Sequence, residues 1–372
     1  MRFCLVTTFF PPEHFGGDGI FVAQLSNLLA CHGHEVEVVH CADSFRLLAR
    51  GVAPSSFPID PRVRVHRLQA GWHSPVATHL TGQPFFKPLA EILNRDFDVI
   101  HWHNASLVGG PGALPLGRGV KLLTLHDHWV ICPTSVHFRN KQEPCTRKTC
   151  FRCSLRYGSP PQIWRSTGAM RNAIASLDRV IAPSEYARKR IAPQATVLPH
   201  FLAPCEAVPK PDRPDYYLFV GRLEKLKGLE NILALFGKRR LKVAGTGSEG
   251  ERLRRLAGPN VEFLGRVPHE RLNSLYAGAI ATIIPSLCEE TFGLVVLESL
   301  AQRTPLVTSS LGALPELVEQ TNGGFVYHDL RELETILDNL DRNPLPASPR
   351  NLDRFTPGAH LNAYLKIIEE CR

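Results

Sequence analysis

Two glutamates and two cations have the residue types and spacing to bind a charged ligand. Glu290 and Glu298 are separated by seven residues, and upstream of them Arg222 and Lys227 lie in the glycine-flanked segment GRLEKLKG. An arginine can bond two phosphate oxygens at once, and a lysine adds a movable point charge. The segment therefore predicts a diphosphate clamp. The alternative is a pair of surface cations flanking a turn.

The glutamate segment predicts a ligand site where a helix begins. A buried strand ends shortly before it, and a helix opens at about Phe292, so the amides of Phe292, Gly293 and Leu294 have no partners within the helix. Glu290 lies at the mouth of this helix. Glu298, roughly two turns later, can accept hydrogen bonds from ribose hydroxyls. An ordinary exposed helical glutamate is the alternative for Glu298.

Glycine-rich turns follow two other predicted strands. Gly245 and Gly247 form a Gly-x-Gly turn between a strand and a helix. There the backbone can approach a nucleotide closely, although a tight turn requires glycine with or without a ligand. Gly16 and Gly17 lie in the loop after the first strand, where glycine allows a ligand to reach the start of the first helix. A plain flexible loop is the alternative there.

Histidines cluster at the ends of two strands in the first half. One strand ends in His126, followed by Asp127 and His128, and another carries His101 and His103. Histidine at the carboxyl end of a parallel strand can donate to a sugar hydroxyl or act as an acid or base. A metal site is disfavoured because the histidines alternate along a strand and no acidic triad accompanies them.

The elements that must position these residues alternate between strand and helix. Short Val-, Ile- and Leu-rich runs separated by helical patterns predict an α/β protein with two doubly wound, Rossmann-like domains. The predicted strands are Phe3–Thr7, Val36–His40, Val63–Arg67, Val99–Trp102, Lys121–Leu125, Val180–Ala182, Thr196–Leu198, Tyr217–Val220, Lys242–Ala244, Val261–Phe263, Ala281–Ile284 and Leu306–Thr308.

Proline spacing sets the predicted domain boundary. Five prolines between Pro199 and Pro214 with little periodicity suit an extended connection. The predicted domains are residues 1–200 and 201–350, with a final helical stretch at 351–372. That final stretch is expected to pack back on the first domain.

Charge is distributed unevenly along the 372 residues. The net charge is +8, and residues 1–205 hold 22 Lys and Arg against 13 Asp and Glu. The excess is densest between Arg139 and Arg171, where eight basic side chains meet only Glu143. Such a region can face anionic lipid, nucleic acid or an acidic substrate, or can simply be solvated. Without a leader or a long apolar run, we expect a soluble, cytoplasmic protein.

Together these motifs resemble the family 4 retaining glycosyltransferases of the GT-B fold, and the resemblance covers nearly the whole chain. It is carried by the first glycine-rich loop, the His126-Asp127 pair, the GRLEKLKG segment, the Gly245 turn and the Glu-x7-Glu pattern. The resemblance implies two Rossmann-like domains facing a central cleft. It also implies a final helix that crosses back to the first domain.

The resemblance further implies a role for each motif. Arg222 and Lys227 would hold the diphosphate of a UDP-, GDP- or ADP-sugar, and Glu298 would hold the ribose. The resemblance also implies that sugar hydroxyls lie near Glu290 and that the sugar contacts His126 and the backbone of Phe292-Gly293-Leu294. It further implies that the base lies at the Arg266-Val267 turn and that the diphosphate lies above Gly16 and Gly17.

The implied reaction moves a hexosyl or N-acetylhexosaminyl group to a hydroxyl of a glycan or lipid-linked saccharide with retention of configuration. The acceptor hydroxyl attacks from the face that the nucleoside diphosphate leaves, and the cations stabilise the departing charge, so no catalytic metal is expected. The leaving phosphate removes the acceptor proton, so Glu290 is not assigned as a nucleophile. A lipid-linked acceptor and the basic first half suggest peripheral contact with an anionic membrane at its inner face.

Four cysteines stand apart from this pattern. Cys132, Cys145, Cys150 and Cys153 form C-x12-C-x4-C-x2-C inside the basic region, an insertion at about 132–153. Four thiolates can bind a structural zinc ion and so staple a polar loop. Free thiols and an iron–sulfur cluster are the alternatives. Such a loop could shape the acceptor site.

Two other functional classes remain open at this point. An epimerase acting on sugar nucleotides would share the fold and the phosphate clamp, but has no need of the Glu290 and Glu298 pattern. A zinc-dependent nucleic-acid-binding protein would use the cysteines and the basic first half. The sequence shows no recognition helix or stacking motif for that role, so no nucleic-acid partner is expected.

Overall fold

The computed structural model describes residues 1–49, 52–202, 208–211, 213–344 and 347–372. Within them the strands are, in chain order, β1 (Arg2–Thr7), β2 (Glu35–Cys41), β3 (Arg64–Leu68), β4 (Val99–Asn104), β5 (Val120–Thr124), β6 (Phe138–Arg139), β7 (Glu143–Pro144), β8 (Arg179–Ala182), β9 (Thr196–Val197), β10 (Tyr216–Val220), β11 (Leu241–Ala244), β12 (Val261–Gly265), β13 (Ala279–Ile284), β14 (Leu306–Ser309) and β15 (Gly324–Tyr327).

The helices of the described residues are mostly short and fall between the strands. They are α1 (Gly17–Cys31), α2 (Ala42–Leu48), α3 (His73–Thr81), α4 (Lys87–Leu93), α5 (Gly110–Ala113), α6 (Cys150–Arg156), α7 (Ala169–Ala175), α8 (Glu185–Ile191), α9 (Leu229–Ile232), α10 (Gly250–Leu256), α11 (His269–Ala277), α12 (Leu294–Ala301), α13 (Leu314–Thr321), α14 (Leu330–Arg342) and α15 (Pro357–Glu369). None of them is long and apolar enough to cross a bilayer.

The chain divides into two compact units, and the first comprises Met1–Ser135, Thr149–His200 and Pro357–Arg372. Its parallel sheet has the order β3-β2-β1-β4-β5-β8-β9. Nearly every residue of β1 and β4 is buried, as expected for strands covered on both faces. The strand order reverses between β1 and β4, so their carboxyl ends, with that of β5 beside them, form the edge where such sheets bind ligands.

The second unit comprises Val136–Lys148 and Phe201–Thr356. Its parallel sheet has the order β12-β11-β10-β13-β14-β15, the same winding as in the first unit. The order reverses between β10 and β13. The segments that follow these two strands carry the cation pair and the glutamates, so the topology itself brings the two motifs to one edge.

The α/β class with two Rossmann-like domains is confirmed, and each predicted strand is present with ends shifted by at most two residues. Helix α1 begins at Gly17, directly after the first glycine-rich loop. C-terminal to β10, the sequence patterns did not predict β15 or helices α11, α13 and α14. The predicted connection between Pro199 and Pro214 lies partly outside the described residues, which omit 203–207 and 212.

The two units do not follow the predicted boundaries everywhere. Residues 136–148 lie in the second unit, although the sequence reading placed them within the first domain. Strands β6 and β7 of this segment pair antiparallel as a two-stranded hairpin. The final helix α15 belongs to the first unit, where the Tyr364 side chain is fully buried and its hydroxyl bonds His101 Nδ1 at 2.7 Å.

Candidate functional site

In the second unit, Lys227 and Glu290 form an ion pair. Lys227 Nζ lies 2.6 Å from Glu290 Oε1, and the hydroxyl of Ser286 donates to the same oxygen at 2.6 Å. Burial alone would raise the pKa of Glu290, but Lys227, the Ser286 hydroxyl and Arg222 together outweigh this and the pKa is lowered. Burial would likewise lower the pKa of Lys227, but the Glu290 carboxylate raises it. Both groups therefore stay charged near neutral pH.

The backbone brings these two side chains together through a close approach of two loops. Leu287 N donates to Leu226 O at 2.8 Å. Gly228 has φ 72°, and a Cβ at that position would lie 1.8 Å from Pro285 O. Only glycine fits there, because any side chain would overlap the carbonyl and would also strain the left-handed backbone.

The far side of the glutamate loop is fixed in the same manner. Glu290 forms an isolated parallel bridge with Gly312, and Ala313 N donates to Glu290 O at 2.8 Å. The hydroxyl of Ser309 donates to Ser286 O at 2.8 Å. The loop is therefore tied to the segments after both β10 and β14, which leaves the Glu290 carboxylate little freedom.

Arg222 lies beside this pair and remains accessible. Its guanidinium donates to Glu224 at 2.8 Å, and its side chain is 45% exposed. Its charge also acts on Glu290 and Lys227, lowering the pKa of each. The predicted cations are thus brought together with Glu290, and each is already paired with an acid.

The Gly245 and Gly247 turn has a packing reason for its glycines. A Cβ at Gly245 would lie 1.9 Å from Gly221 O, and one at Gly247 would lie 2.4 Å from Leu223 O. This turn therefore packs its backbone directly against the start of the Arg222 segment. Glycine is required here whether or not a ligand binds.

Glu298 lies on α12 and is held by a partner that the sequence reading did not find. The Tyr276 hydroxyl donates to Glu298 Oε2 at 2.7 Å, and the tyrosine side chain is fully buried. Burial, followed by the Glu298 charge, raises the pKa of Tyr276 well above its ordinary value. Among the described residues, Glu298 Oε1 has no hydrogen-bond partner.

Helix α12 begins at Leu294, two residues after the predicted start at Phe292, and Gly293 is its N-cap residue with φ 107°. No side chain of the described residues caps this helix start. Val267, predicted to lie near the base, is half-buried in the turn between β12 and α11. These residues follow β12 and β13 at the carboxyl edge of the same sheet.

The hairpin β6–β7 packs beside the ion pair within the second unit. The Phe138 side chain is 2% exposed and clusters with Leu226 and Cys288. His137 Nδ1 pairs with the carboxylate of Glu289, the neighbour of Glu290. The sequence did not predict this hairpin, because two-residue strands carry no periodicity. The one feature that could have indicated it is the aromatic Phe138 between the cysteines of the basic region.

In the first unit, the predicted His126 belongs to a group of packed rings. His126 Nε2 lies 2.9 Å from His103 Nδ1, and the His126 ring stacks on His200 at 4.8 Å. Phe21 of α1 contacts both rings, at 5.4 Å from His126 and 4.0 Å from His200. Burial lowers the pKa of His126 to about 3, so its imidazole is neutral at ordinary pH.

Other residues of the first unit border this group. Asp127, which follows His126, has its pKa raised to about 7 by burial, and Asp18 adds to the effect. A cavity of about 10 Å³ is lined by residues including His103, His126 and Asp127. Gly17 begins α1 and Gly16 is its N-cap residue, and a Cβ at Gly16 would meet only open space.

The predicted zinc ligands are distributed over both units. Cys132 and Cys153 are buried and Cys150 is exposed in the first unit, whereas Cys145 belongs to the second. Among the described residues of the first unit, the sulfur atoms of Cys132, Cys150 and Cys153 do not gather as one group of metal ligands. The zinc site stays a prediction, which metal analysis of the purified protein tests.

Each unit has a parallel, Rossmann-like sheet. The edge of one sheet carries a cluster of cations and carboxylates, and the edge of the other carries a histidine. These features together define a glycosyltransferase of GT-B fold. Comparison with known families agrees. The family described as "Glycosyl transferases group 1" matches residues 206–342, and "Glycosyltransferase Family 4" matches residues 15–199.

Individual relatives span almost the whole chain. A D-inositol 3-phosphate glycosyltransferase from Frankia alni is 30% identical, covering 92% of this chain and 89% of its own. A glycogen synthase from Mycobacterium tuberculosis is 25% identical, covering 94% and 88%. The solved structure of Anabaena HepE in complex with UDP superposes with a TM-score of 0.63 at 18% identity and covers all of both chains. The chain belongs to the group 1, family 4 glycosyltransferases, and neither the epimerase nor the nucleic-acid reading is favoured.

The Gly228 contact generates a stability prediction. Gly228→Ala would drive a methyl group into Pro285 O and strain a left-handed residue, so we expect the free energy of unfolding to fall by more than about 2 kcal/mol. Gly258→Ala is the matched control, because a Cβ there meets no atom within 4 Å. Thermal unfolding of both variants checks this, and an unchanged midpoint for Gly228→Ala would contradict the close approach.

The buried imidazoles predict loss of stability in acid. The pKa of His360 is lowered by burial to about 4, while an unfolded histidine titrates near 6.5. Below pH 6.5 the unfolded chain binds protons that the folded unit excludes, so the free energy of unfolding falls as the pH drops towards 4. The slope is at most about 1.4 kcal/mol per pH unit for each such histidine.

Urea unfolding at several pH values between 7.5 and 4.5 measures this slope. His360→Gln should lower this slope by up to about 1.4 kcal/mol per pH unit. Equal slopes in the wild type and His360→Gln would show that His360 is not held neutral.

Proposed function

We propose that this glycosyltransferase transfers a hexosyl or N-acetylhexosaminyl group from a nucleoside diphosphate donor to a hydroxyl of a glycan or lipid-linked saccharide. The proposal rests chiefly on the Lys227–Glu290 pair with Arg222 beside it. Two cations at the carboxyl edge of a parallel sheet supply the charge that a departing diphosphate requires.

The free groups of this cluster support a donor site. Lys227 gives one hydrogen bond to Glu290, and among the described residues its ammonium has no other partner. Glu290 Oε2 likewise has no partner there, so it can accept from a sugar hydroxyl while Oε1 holds Lys227 and Ser286. The donor phosphate would approach from Arg222, whose side chain is accessible.

Glu298 supports the same assignment through its second oxygen. Tyr276 fixes Oε2, which leaves Oε1 to accept from the two ribose hydroxyls. UDP-, GDP- and ADP-sugars are the donors to screen.

We propose that the transfer retains configuration, and the state of Glu290 supports this. A carboxylate that is bonded to an ammonium and a hydroxyl, and whose pKa is lowered, is a weak base and a weak nucleophile. The acceptor proton is then best transferred to the leaving phosphate, which requires attack on the same face. The anomeric configuration of the product by NMR tests this step, and an inverted product would contradict it.

Donor binding is tested by substitution of Lys227 and Glu298. The purified chain is screened against UDP-, GDP- and ADP-sugars by thermal shift and by release of the nucleoside diphosphate. Lys227→Ala should lower kcat/KM about 10- to 100-fold, because a charge-assisted bond to phosphate is lost. Glu298→Gln should raise the KM for the donor with little effect on kcat.

Lys225→Ala is the matched control for the lysine, since Lys225 is exposed two residues upstream. Near-wild-type turnover is expected for it. Equal turnover of wild type and Lys227→Ala would refute the site. Thermal unfolding of each variant separates loss of binding from loss of fold, because Lys227→Ala leaves Glu290 without its cation.

We propose that the protein reaches a lipid-linked acceptor by peripheral contact with an anionic bilayer. On α6, the Phe151 and Leu155 side chains are 67% and 56% exposed and lie four residues apart, on one face. Arg152 and Arg156 of the same helix are also exposed. Exposed apolar and basic side chains on one short helix suit an interface with anionic lipid.

Flotation with phosphatidylcholine vesicles, with and without phosphatidylglycerol, tests this contact. Binding to the anionic vesicles should weaken with salt and should fall severalfold in a Phe151→Ser, Leu155→Ser variant. Leu256→Ser is the control, because Leu256 of α10 is 54% exposed, nearly as much as Leu155. Absence of binding, or equal binding by the double variant, would reject the contact.

A further inference from the structure

A hydrogen bond from Tyr276 to Glu298 joins helices α11 and α12 of the second unit. The Tyr276 hydroxyl lies 2.7 Å from Glu298 Oε2, and an ionised carboxylate can only accept, so the phenol donates. The tyrosine is fully buried in an apolar cluster with Tyr216, Leu218 and Ala279. Among the described residues its hydroxyl has no other partner. The buried phenol therefore donates in one direction, towards Glu298.

A second set of buried hydrogen bonds fixes the tyrosine itself. The Thr304 hydroxyl donates to Tyr276 O at 2.6 Å. The hydroxyl of Ser299, which directly follows Glu298 on α12, donates to Thr304 O at 2.9 Å. Ser299 and Thr304 are both fully buried. Thr304 is thus bonded to the last turn of α11 through one group and to α12 through another. These bonds hold the two helices together and keep the Tyr276 hydroxyl in place beside Glu298.

Glu298 gains a fixed orientation from this partner. The residue is half-buried, and a glutamate whose carboxylate has no bond populates several rotamers. A bond to Oε2 restricts these rotamers before a ligand arrives, so less entropy is lost when a ligand binds to Oε1. Among the described residues Oε1 has no partner, and its two lone pairs can accept from two hydroxyls.

We propose that Tyr276 is a positioning residue that holds Glu298 for the hydroxyls of a ribose, and that this pair makes the site prefer ribonucleotides to their deoxy forms. The inference rests on the proposed function, in which Glu298 binds the ribose of the donor. It uses residues of the second unit alone. A nucleotide without these hydroxyls offers Oε1 no donor, so it gains nothing from the orientation that Tyr276 sets.

Binding of nucleoside diphosphates to the full-length protein tests this inference. Isothermal titration calorimetry with UDP, GDP and ADP identifies the diphosphate that the wild type binds most tightly, and the 2′,3′-dideoxy form of that diphosphate is the second probe. We expect the wild type to bind the ribose form about 10- to 100-fold more tightly, because the dideoxy form loses hydrogen bonds to a carboxylate. Tyr276→Phe should lower the affinity for the ribose form about three- to tenfold and leave the affinity for the dideoxy form unchanged.

Tyr216→Phe is the matched control. It removes a hydroxyl from the same apolar cluster, but that hydroxyl donates to Leu275 O at 2.8 Å. Both affinities should stay as in the wild type. Glu298→Ala should abolish the preference for the ribose form, and adding Tyr276→Phe to it should change nothing further, because the tyrosine then has no carboxylate to hold. In turnover, Tyr276→Phe should raise the KM for the sugar nucleotide and leave kcat unchanged.

Three results would overturn the role of Tyr276. They are an unchanged ribose preference in Tyr276→Phe, an equal loss of affinity for both forms in that variant, and a loss of the same size in Tyr216→Phe. If Glu298→Ala abolishes the preference in any of these cases, Glu298 still binds the ribose and the proposed function stands. If the wild type binds both forms equally, binds no nucleoside diphosphate, or keeps its preference in Glu298→Ala, the ribose role of Glu298 fails and the inference fails with it.

Discussion

The close approach of two loops at the edge of the second sheet determines the rest of the candidate site. Leu226 O accepts from Leu287 N, and Gly228 lies against Pro285 O with no room for a side chain. This contact places the ammonium of Lys227 on the carboxylate of Glu290. A half-buried ion pair contributes little net stability, since desolvation offsets most of the attraction. Backbone packing therefore holds the pair in place, and the pair keeps its charges available for a ligand.

The first unit holds neutral imidazoles where the second unit holds charged side chains. His101, His103, His126, His200 and His360 share a buried region, and burial lowers the pKa of each. Protonation of one would leave a charge among apolar rings and neutral imidazoles. The second unit presents fixed charges, whereas the first presents neutral hydrogen-bonding groups.

Sequence reasoning located the motifs better than their partners. Hydrophobic runs such as Val99–Trp102 mark buried parallel strands, and the residues that follow them fall at the ligand edge by topology alone. The partners are distant in sequence: Tyr276 on α11 holds Glu298, and Ser286 holds Glu290. No local pattern encodes such pairings. The hairpin β6–β7 was not predicted for another reason. Its strands are too short to show the alternation of apolar and polar residues that marks a strand in a sequence.

The glycines of the Gly245 turn have a packing role that the sequence motif alone did not indicate. Its glycines suggest a nucleotide, yet the structure gives each a backbone neighbour in the Arg222 segment that excludes a Cβ. Glycine here sets how closely the ends of β10 and β11 approach. That spacing in turn fixes where Arg222 leaves the sheet. The turn then serves the candidate site indirectly. The Glu290 and Glu298 carboxylates are held separately, one by the Lys227 cation and one by the Tyr276 hydroxyl.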